Sequence, residues 1–204
     1  MSQYNIIAES QEYTVVAEYD HVTTPAEAYQ SEADLEREFI RLLGEQGYEY
    51  LPIHTETDLI SNLRAQLEKL NHYHFTDSEW EKFFNECIAN KNDDIVAKTQ
   101  KIQDDYIQVL KRDTGESQNI KLIDKDNIHN NFVQVINQYV EKGGNYDTRY
   151  DVSILVNGLP LVHIELKRRG VQLKEAFNQI NRYQRDSFWA GCGLYEYVQI
   201  FVIS

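Results

Sequence analysis

Residues 151–167 read DVSILVNGLPLVHIELK and are the most informative stretch of the chain. Two arms rich in β-branched residues, 151–156 and 161–167, flank the sequence Asn157-Gly158-Leu159-Pro160. An Asn-Gly pair between such arms is a strong signal for a β-hairpin. Side chains alternate between the two faces of a strand. The even-numbered positions of both arms are apolar, and the odd-numbered face carries Asp151, Ser153, His163, Glu165 and Lys167.

The pairing of the two arms follows from this alternation. Residues that pair across a hairpin point to the same face of the sheet, so even-numbered residues must pair with even-numbered residues. The two residue numbers of each pair must therefore add up to an even number, because a slip of one residue moves every side chain to the other face. A two-residue Asn157-Gly158 loop gives an odd sum. A three-residue loop, Asn157-Gly158-Leu159, gives an even sum and places Pro160 at the start of a strand, where proline is tolerated. We therefore predict a three-residue loop with Asp151 directly opposite Glu165.

Two carboxylates at opposite positions define a candidate metal site. Their Cβ atoms would lie about 5 Å apart, and the charges repel unless a cation neutralises them. Carboxylate and carbonyl oxygens with water suit Mg²⁺ or Mn²⁺. Lys167 follows Glu165 by two positions, so it shares their face and can orient a water or offset charge on a phosphoryl group. The alternative is an ion-pair network on a solvated face, but three ionic groups on one side of an apolar hairpin favour the metal site.

The composition describes an ordinary globular protein. Of 204 residues, 42% are hydrophobic and 26% are charged, and a chain of this length buries about 70% of its unfolded surface without disulfides or metals. No apolar run approaches the roughly 18 residues of a membrane span, and the N-terminus does not resemble a secretory signal. Cys87 and Cys192 form no CxxC pair. We therefore expect a cytoplasmic protein with reduced cysteines and no membrane contact.

Helix signals come first along the chain and strand signals follow. Capping residues and apolar periodicity predict helices over residues 31–47, 58–70, 76–87 and 93–101. A hairpin is predicted within 107–123, residues 132–140 fit either a strand or a helix, and 197–203 read as a buried strand. This order predicts an α/β protein with an N-terminal helical part. Because a strand pattern stands at the end of the sequence, we expect a piece of a longer protein.

The charge of the chain is unevenly distributed. The net charge is −13, which disfavours tight binding of nucleic acid by the chain alone. Residues 163–185 nevertheless hold six basic residues against two glutamates. A local basic stripe on an acidic body can still contact phosphate groups.

Several motifs resemble those of a known nuclease family. Asp151 followed, after thirteen residues, by Glu165-Leu166-Lys167 resembles the PD-(D/E)xK core, with Tyr150 where the family name has proline. Gln179 and Tyr183 resemble the QxxxY motif of its RecB-like branch. Residues 30–36, 149–167 and 199–204 resemble the N-terminal endonuclease domain of the type I restriction enzyme R subunit. The resemblance covers most of the chain.

The resemblance implies a fold and an activity. Residues 1–204 would form one nuclease domain with a restriction-endonuclease-like mixed central sheet flanked by helices, the helices mainly in 31–101 and the catalytic sheet and helix mainly in 105–204. The expected function is Mg²⁺-dependent cleavage of double-stranded DNA. The expected partners are the modification (methyltransferase) and specificity subunits of a type I restriction-modification complex. The chain has no GxxxxGK[ST] motif, so ATP is expected only in the full-length parent, which would carry the motor.

The same resemblance assigns roles to residues. Asp151 and Glu165 would bind the metal with the Leu166 carbonyl, and Lys167 would serve the attacking water. Gln179 and Tyr183 are predicted to lie off the core stripe of the last helix and to contact DNA, with packing at the helix rim as the alternative. Further predicted DNA-binding residues are Arg182, Arg168 and Lys174, for which a solvated basic face is the alternative.

Three accessory residues and a second function stay open at this point. Glu32 or Glu36 can join the site, or either can simply compensate the helix dipole. His163 lies on the polar face near the expected metal, although a hydrogen-bonded structural histidine is the simpler interpretation. The chain can also be a non-catalytic nuclease-like module that docks motor and modification subunits. The intact Asp-Glu-Lys set favours the enzyme.

Overall fold

A computed structural model describes residues 4–9, 15–19, 31–145, 147–167 and 173–203 of the protein. The α-helices in this part of the chain are α1 (Glu32–Glu45), α2 (Glu56–Asn71), α3 (Asp77–Phe83), α4 (Ile95–Gln103) and α5 (Leu173–Asp186). The strands are β1 (Tyr4–Glu9), β2 (Val15–Tyr19), β3 (Glu49–Tyr50), β4 (Ile107–Lys111), β5 (Ser117–Lys121), β6 (Val133–Glu141), β7 (Thr148–Val156), β8 (Leu159–Glu165) and β9 (Ile200–Ile203).

A mixed sheet forms the centre of the fold. Its five strands run in the order β3-β6-β7-β8-β9, and two separate hairpins, β1-β2 and β4-β5, lie outside it. Strands β6, β7 and β8 are antiparallel neighbours, whereas β3 and β9 join the two edges in parallel. The predicted α/β class with a mixed central sheet and flanking helices is confirmed. Residues 132–140, which fit two structures, belong mostly to β6.

Helices α1 and α3 begin after the predicted capping residues Ser31 and Thr76, whereas α2 begins at Glu56, two residues before its predicted start, because Thr55 caps it. Side chains of Ser31, Thr55, Thr76 and Asp94 accept hydrogen bonds from the first turns of α1, α2, α3 and α4, which satisfies backbone N–H groups that have no partner within the helix. The helix predicted through Cys87 differs from the structure at its end. It is α-helical only to Phe83 and continues as a π-helical turn, Phe84–Ile88.

The sheet separates two apolar layers. The larger core holds Leu59, Leu63 and Leu67 of α2, all fully buried, together with residues of α3, α4 and α5. The smaller core places Leu43 of α1 against Val135, Val152, Ile164 and Leu166. Val152, Ile154, Val162 and Ile164 therefore face α1, as the alternation of the sequence predicts, whereas Tyr150 and Val156 at the two ends of β7 pack against the larger core.

The turn between β7 and β8 corrects one prediction. Asn157 and Gly158 have φ of +51° and +85° and alone form the loop, with Val156 paired to Leu159, as in the two-residue turns that suit the twist of a hairpin. The predicted three-residue loop is therefore wrong. A register shift between Ile154 and Leu155, opposite Leu161, then restores the pairs Ile154–Val162 and Val152–Ile164. One extra residue in β8 thus supplies the even pairing that the loop was predicted to supply.

The last strand corrects another prediction. Residues Leu194–Tyr197 form a 3-10 helix, and β9 begins only at Ile200. Tyr197 and Val198 are buried, but Ile200 and Val202 are 55% and 39% exposed. The apolar run is therefore not one buried strand: its first part packs into the core, and its second part is the edge strand of the sheet.

Every helix in the described part of the chain is too short or too polar to span a membrane.

Glu141 at the end of β6 makes stability depend on pH. Its side chain is 3% exposed, and burial, together with the charge of Glu56, raises its pKa from 4.5 to about 8. Between these values the folded state keeps a proton that the unfolded state has lost. The free energy of unfolding therefore falls as pH rises from about 4.5 and levels off above about 8.

We expect Glu141→Gln to remove this contribution. Each unit of pKa corresponds to about 1.4 kcal/mol, so the variant should exceed the wild type in stability by about 2–4 kcal/mol at pH 8 and by much less at pH 5. Urea unfolding at both pH values measures the difference. If the two proteins differ in their free energy of unfolding by the same amount at both pH values, the raised pKa of Glu141 is not the cause of the difference.

Candidate active site

Strand β7 and the end of β8 bring two carboxylates together. Val152 pairs with Ile164, so the residues beside this pair, Asp151 and Glu165, stand next to each other. The backbone N–H of Leu166 donates a hydrogen bond of 3.0 Å to Asp151 Oδ2. The chain leaving β8 is therefore fastened to the first carboxylate, and the juxtaposition predicted from sequence is confirmed.

Lys167 completes the cluster. Its Nζ donates a hydrogen bond of 2.6 Å to Glu165 Oε1, and its side chain is 19% exposed. Burial opposes the charge of this lysine, but the hydrogen bond and charge of Glu165 outweigh it, and the pKa of Lys167 is raised. The ammonium group is thus held as a cation beside the buried carboxylate.

The two carboxylates differ in their electrostatics. Burial, and then the charge of Glu165, raise the pKa of Asp151 from 3.8 to about 6. Burial also acts to raise the pKa of Glu165, but the neighbouring His163 and Lys167 outweigh it and lower that pKa. A cation bound between the carboxylates would favour the ionised form of both.

The donor set fits a hard divalent cation. Glu165 is fully buried, and its Oε2 has no hydrogen-bond partner among the described residues. An orphaned buried oxygen of this kind costs free energy, about 1–3 kcal/mol for a neutral group and more for a charged one. The described part of the chain contains no group of three His, Cys, Asp or Glu side chains suited to a metal. A cation here would depend on Asp151, Glu165, a backbone carbonyl and water, the sparse protein coordination typical of Mg²⁺.

A distortion of β6 lies beside Asp151. Gln138, which stands between the pairs Asn137–Val152 and Tyr139–Tyr150, has a φ of +53°. Glu36 of α1 accepts hydrogen bonds from Asn137 Nδ2, at 2.6 Å, and from Gln138 Nε2. Tyr139 belongs to the large core on the opposite side of the sheet. The alternation of side chains along β6 is therefore interrupted next to the candidate site: Asn137 and Gln138 both face α1, and Tyr139 faces the other side of the sheet. The hydrogen bonds of Glu36 connect α1 to the strand at this point.

Glu32 and Glu36, the two glutamates of α1 with predicted accessory roles, have different surroundings. Glu36 contacts β6 rather than the carboxylates. Glu32 is exposed at the start of α1 and is near enough to contribute to the raised pKa of Lys167. Their predicted accessory roles stay predictions.

His163 lies behind Glu165 in an aromatic box. It is fully buried, and the rings of Tyr150 and Tyr183 stand edge-on to it with centroids 5.2 and 5.8 Å away. Its Nε2 is 3.5 Å from Glu165 Oε2, and neither ring nitrogen has a hydrogen-bond partner among the described residues. His163 is thus buried like a structural histidine, but its ring nitrogens are not satisfied by hydrogen bonds from the described residues.

Helix α5 holds the two residues of the predicted QxxxY motif against each other. Gln179 Nε2 donates a hydrogen bond to Tyr183 Oη, so the two members of the QxxxY motif contact each other. Tyr183 is only 8% exposed and belongs to the large core. The prediction that it lies off the core stripe is wrong, because Tyr183 follows the buried Ile180 by three positions and extends the apolar face of the helix.

The predicted basic residues divide into two groups. Lys174 and Arg182 are exposed on α5, where their side chains are accessible to a ligand. Arg168 lies outside the described residues. DNA contact by Gln179, Tyr183, Lys174 and Arg182 stays a prediction.

Tyr150 is a site residue that sequence reasoning missed. It is fully buried, its ring packs on Tyr183 and His163, and its hydroxyl lies 2.8 Å from Ser187 Oγ. The only signal was its place directly before Asp151, where the family name has proline. The tyrosine forms one wall of the box around His163.

The different burial of the QxxxY residues predicts different effects on stability. Tyr183→Ala should lower the free energy of unfolding by about 3–5 kcal/mol, because a buried aromatic ring is lost. Gln179→Ala should cost less than about 1 kcal/mol, since Gln179 is only half-buried. Urea unfolding measures both, with Tyr183→Phe as the control that keeps the ring and removes the hydroxyl. Equal losses for the two alanine variants would contradict this division.

The fold and the cluster agree with the class of protein that the sequence resembles. A mixed sheet that brings an aspartate on one strand beside a glutamate and a lysine at the end of the next is the arrangement expected for PD-(D/E)xK nucleases. The chain belongs to the type I restriction enzyme R protein N terminus family, which matches residues 29–204.

Named relatives agree with this family. The chain is 49% identical over 199 residues to the type I restriction enzyme EcoprrI endonuclease subunit of Escherichia coli, an alignment covering 97% of this chain and 63% of that protein. It is 39% identical to the type I restriction enzyme SsaAORF53P endonuclease subunit of Staphylococcus saprophyticus, over 86% of this chain and 18% of that protein. A putative type I restriction enzyme endonuclease subunit, MjaVIIIP, of Methanocaldococcus jannaschii is 30% identical over 69% of this chain and 14% of its own length.

Proposed function

We propose that this chain is the endonuclease domain of a type I restriction enzyme and cleaves double-stranded DNA with Mg²⁺. The observation that carries the proposal is the cluster of Asp151, Glu165 and Lys167, in which the Leu166 N–H fastens Asp151 and the Lys167 ammonium fastens Glu165. Family membership and the names of the relatives support the nuclease activity. The cytoplasm is the proposed location.

Each residue of the cluster has a proposed task. Asp151, Glu165 and the Leu166 carbonyl would hold Mg²⁺, which when bound lowers the pKa of a water and offsets charge on the phosphate. Lys167 would orient that water through its Nζ, which already lies against Glu165. The exposed Lys174 and Arg182 of α5 would contact DNA phosphates, with Gln179 and Tyr183 nearer to the reacting group.

The acidic chain is proposed to act with partners. Its net charge of −13 repels DNA, so the duplex would have to be delivered by other parts of a complex. The chain spans 63% of the E. coli relative and 18% of the S. saprophyticus relative. We propose that an ATP-driven motor in the longer protein, together with modification and specificity subunits, supplies the DNA.

A plasmid assay tests the activity itself. Supercoiled plasmid is incubated with the complete subunit in its assembled complex, with ATP, in excess Mg²⁺, in Ca²⁺ or with a chelator. We expect cleavage in Mg²⁺ only, because Ca²⁺ occupies oxygen sites with a looser geometry. Cleavage that survives chelation, or an assembled complex that hydrolyses ATP but never cuts, would overturn the proposal. The second outcome would favour the non-catalytic docking module.

A further inference from the structure

We propose that His163 is a positioning residue that holds the Glu165 carboxylate in the orientation needed to bind the metal. This inference rests on the proposed function. The structure supports it through two buried polar atoms that face each other, His163 Nε2 and Glu165 Oε2, which are 3.5 Å apart and have no hydrogen-bond partner among the described residues.

The two oxygens of Glu165 have different neighbours. Oε1 accepts the hydrogen bond from Lys167, whereas Oε2 points to the imidazole and has no hydrogen-bond partner among the described residues. A carboxylate held at one oxygen can still turn about its terminal torsion, because such torsions have broad wells. A donor at the second oxygen would fix the plane of the group. Fixing that plane fixes the direction of the lone pairs offered to a cation.

The surroundings of His163 suit a hydrogen-bond donor to Glu165. The rings that enclose it belong to Tyr150, Tyr183, Phe188 and Phe201. Nε2 lies 3.5 Å from the acceptor Glu165 Oε2, and Nδ1 has no partner among the described residues. An N–H group at Nε2 therefore faces the carboxylate. The present separation is a few tenths of an ångström longer than a hydrogen bond, so a small shift closes it.

A purely structural role fits the box poorly. An aromatic box around a side chain of this size would be filled equally well by phenylalanine, which has no polar atoms to leave unsatisfied. Replacing His163 by phenylalanine thus separates packing from hydrogen bonding. Replacing it by glutamine keeps a donor and loses the ring.

The experiment compares His163→Phe, His163→Gln and Asp151→Asn in the complete subunit. Mn²⁺ binding is measured by electron paramagnetic resonance without DNA, thermal unfolding is measured on the same samples, and cleavage is followed against Mg²⁺ concentration in the assembled complex. We expect His163→Phe to unfold at or above the wild-type temperature, to bind Mn²⁺ about 10-fold more weakly, and to need correspondingly more Mg²⁺ for cleavage. His163→Gln should recover most of the Mn²⁺ affinity. ATP hydrolysis should not change.

The outcomes separate this inference from the proposed function. If Asp151→Asn loses Mn²⁺ binding and cleavage while His163→Phe keeps both at wild-type levels, the inference is overturned and the nuclease site stands. If Asp151→Asn keeps both, the proposed function itself fails. If His163→Phe does not fold, His163→Leu takes its place, and a well-folded leucine variant with wild-type Mn²⁺ affinity also overturns the inference.

Discussion

Asp151→Asn is expected to reduce DNA cleavage by at least about 100-fold and to leave ATP hydrolysis by the assembled complex unchanged. An asparagine oxygen can still accept the hydrogen bond from Leu166 N–H, which is 3.0 Å from Asp151 Oδ2, so the local backbone is preserved. The variant loses the charge of a proposed metal ligand, and groups that act as one unit lose most of their effect when any member is removed. We expect a similar loss for Glu165→Gln and Lys167→Met.

The matched control is Asp105→Asn, because Asp105 is exposed and lies far from the site in sequence. It removes the same charge from the acidic chain and should cleave like the wild type. Supercoiled plasmid cleavage and phosphate release are measured on the same preparations. Joint loss of cleavage and ATP hydrolysis in Asp151→Asn would show that Asp151 maintains the structure of the complex rather than the chemistry.

Gly158→Ala is expected to lower the free energy of unfolding by about 2–5 kcal/mol. At this position φ is +85°, and a Cβ would lie 2.5 Å from the Cα of Leu63. Alanine in a left-handed conformation costs about 1–2 kcal/mol, and forcing the turn away from α2 adds about 1–3 kcal/mol. The neighbouring atom is backbone inside a helix, so no side chain can move aside.

Gly115→Ala is the matched control for the clash. Gly115 has a φ of +88°, but nothing lies within 4 Å of a Cβ built there. This variant should therefore show only the conformational cost, about 1–2 kcal/mol. Urea unfolding of both variants measures the difference. If the two losses are equal, contact between the turn and α2 contributes nothing to stability.

The sequence was sufficient to predict which face of the sheet holds the site. Alternation in β7 and β8 predicts that Asp151 lies beside Glu165. This prediction holds although the predicted loop is wrong, because the register is decided by the need to bury the apolar side chains of both strands on the same face. A bulge and a longer loop both satisfy that requirement. The starts of α1 and α3 were predictable as well, since a capping side chain such as Thr76 accepts a hydrogen bond from a backbone N–H only three residues away.

Features that depend on distant packing were not predictable. His163 and Tyr183 look polar or peripheral in sequence, but rings from Tyr150 and Phe188 enclose them. The exposure of Ile200 depends on its place in the edge strand, which no local pattern reveals. The positive φ of Gln138 could not be predicted either, because this backbone conformation is usual for glycine and residue 138 is a glutamine.

The hydrogen bonds of Glu36 have a consequence for how the site assembles during folding. Contact between Asp151 and Leu166 closes a loop of 15 residues, whereas contact between Glu36 and Asn137 closes one of 101. By the logarithmic dependence of closure entropy on length, the longer loop costs about 2 kcal/mol more. The carboxylate pair can therefore be brought together by a hairpin that needs only neighbouring sequence. The distorted shape of β6 beside it depends on docking of a helix encoded about a hundred residues earlier.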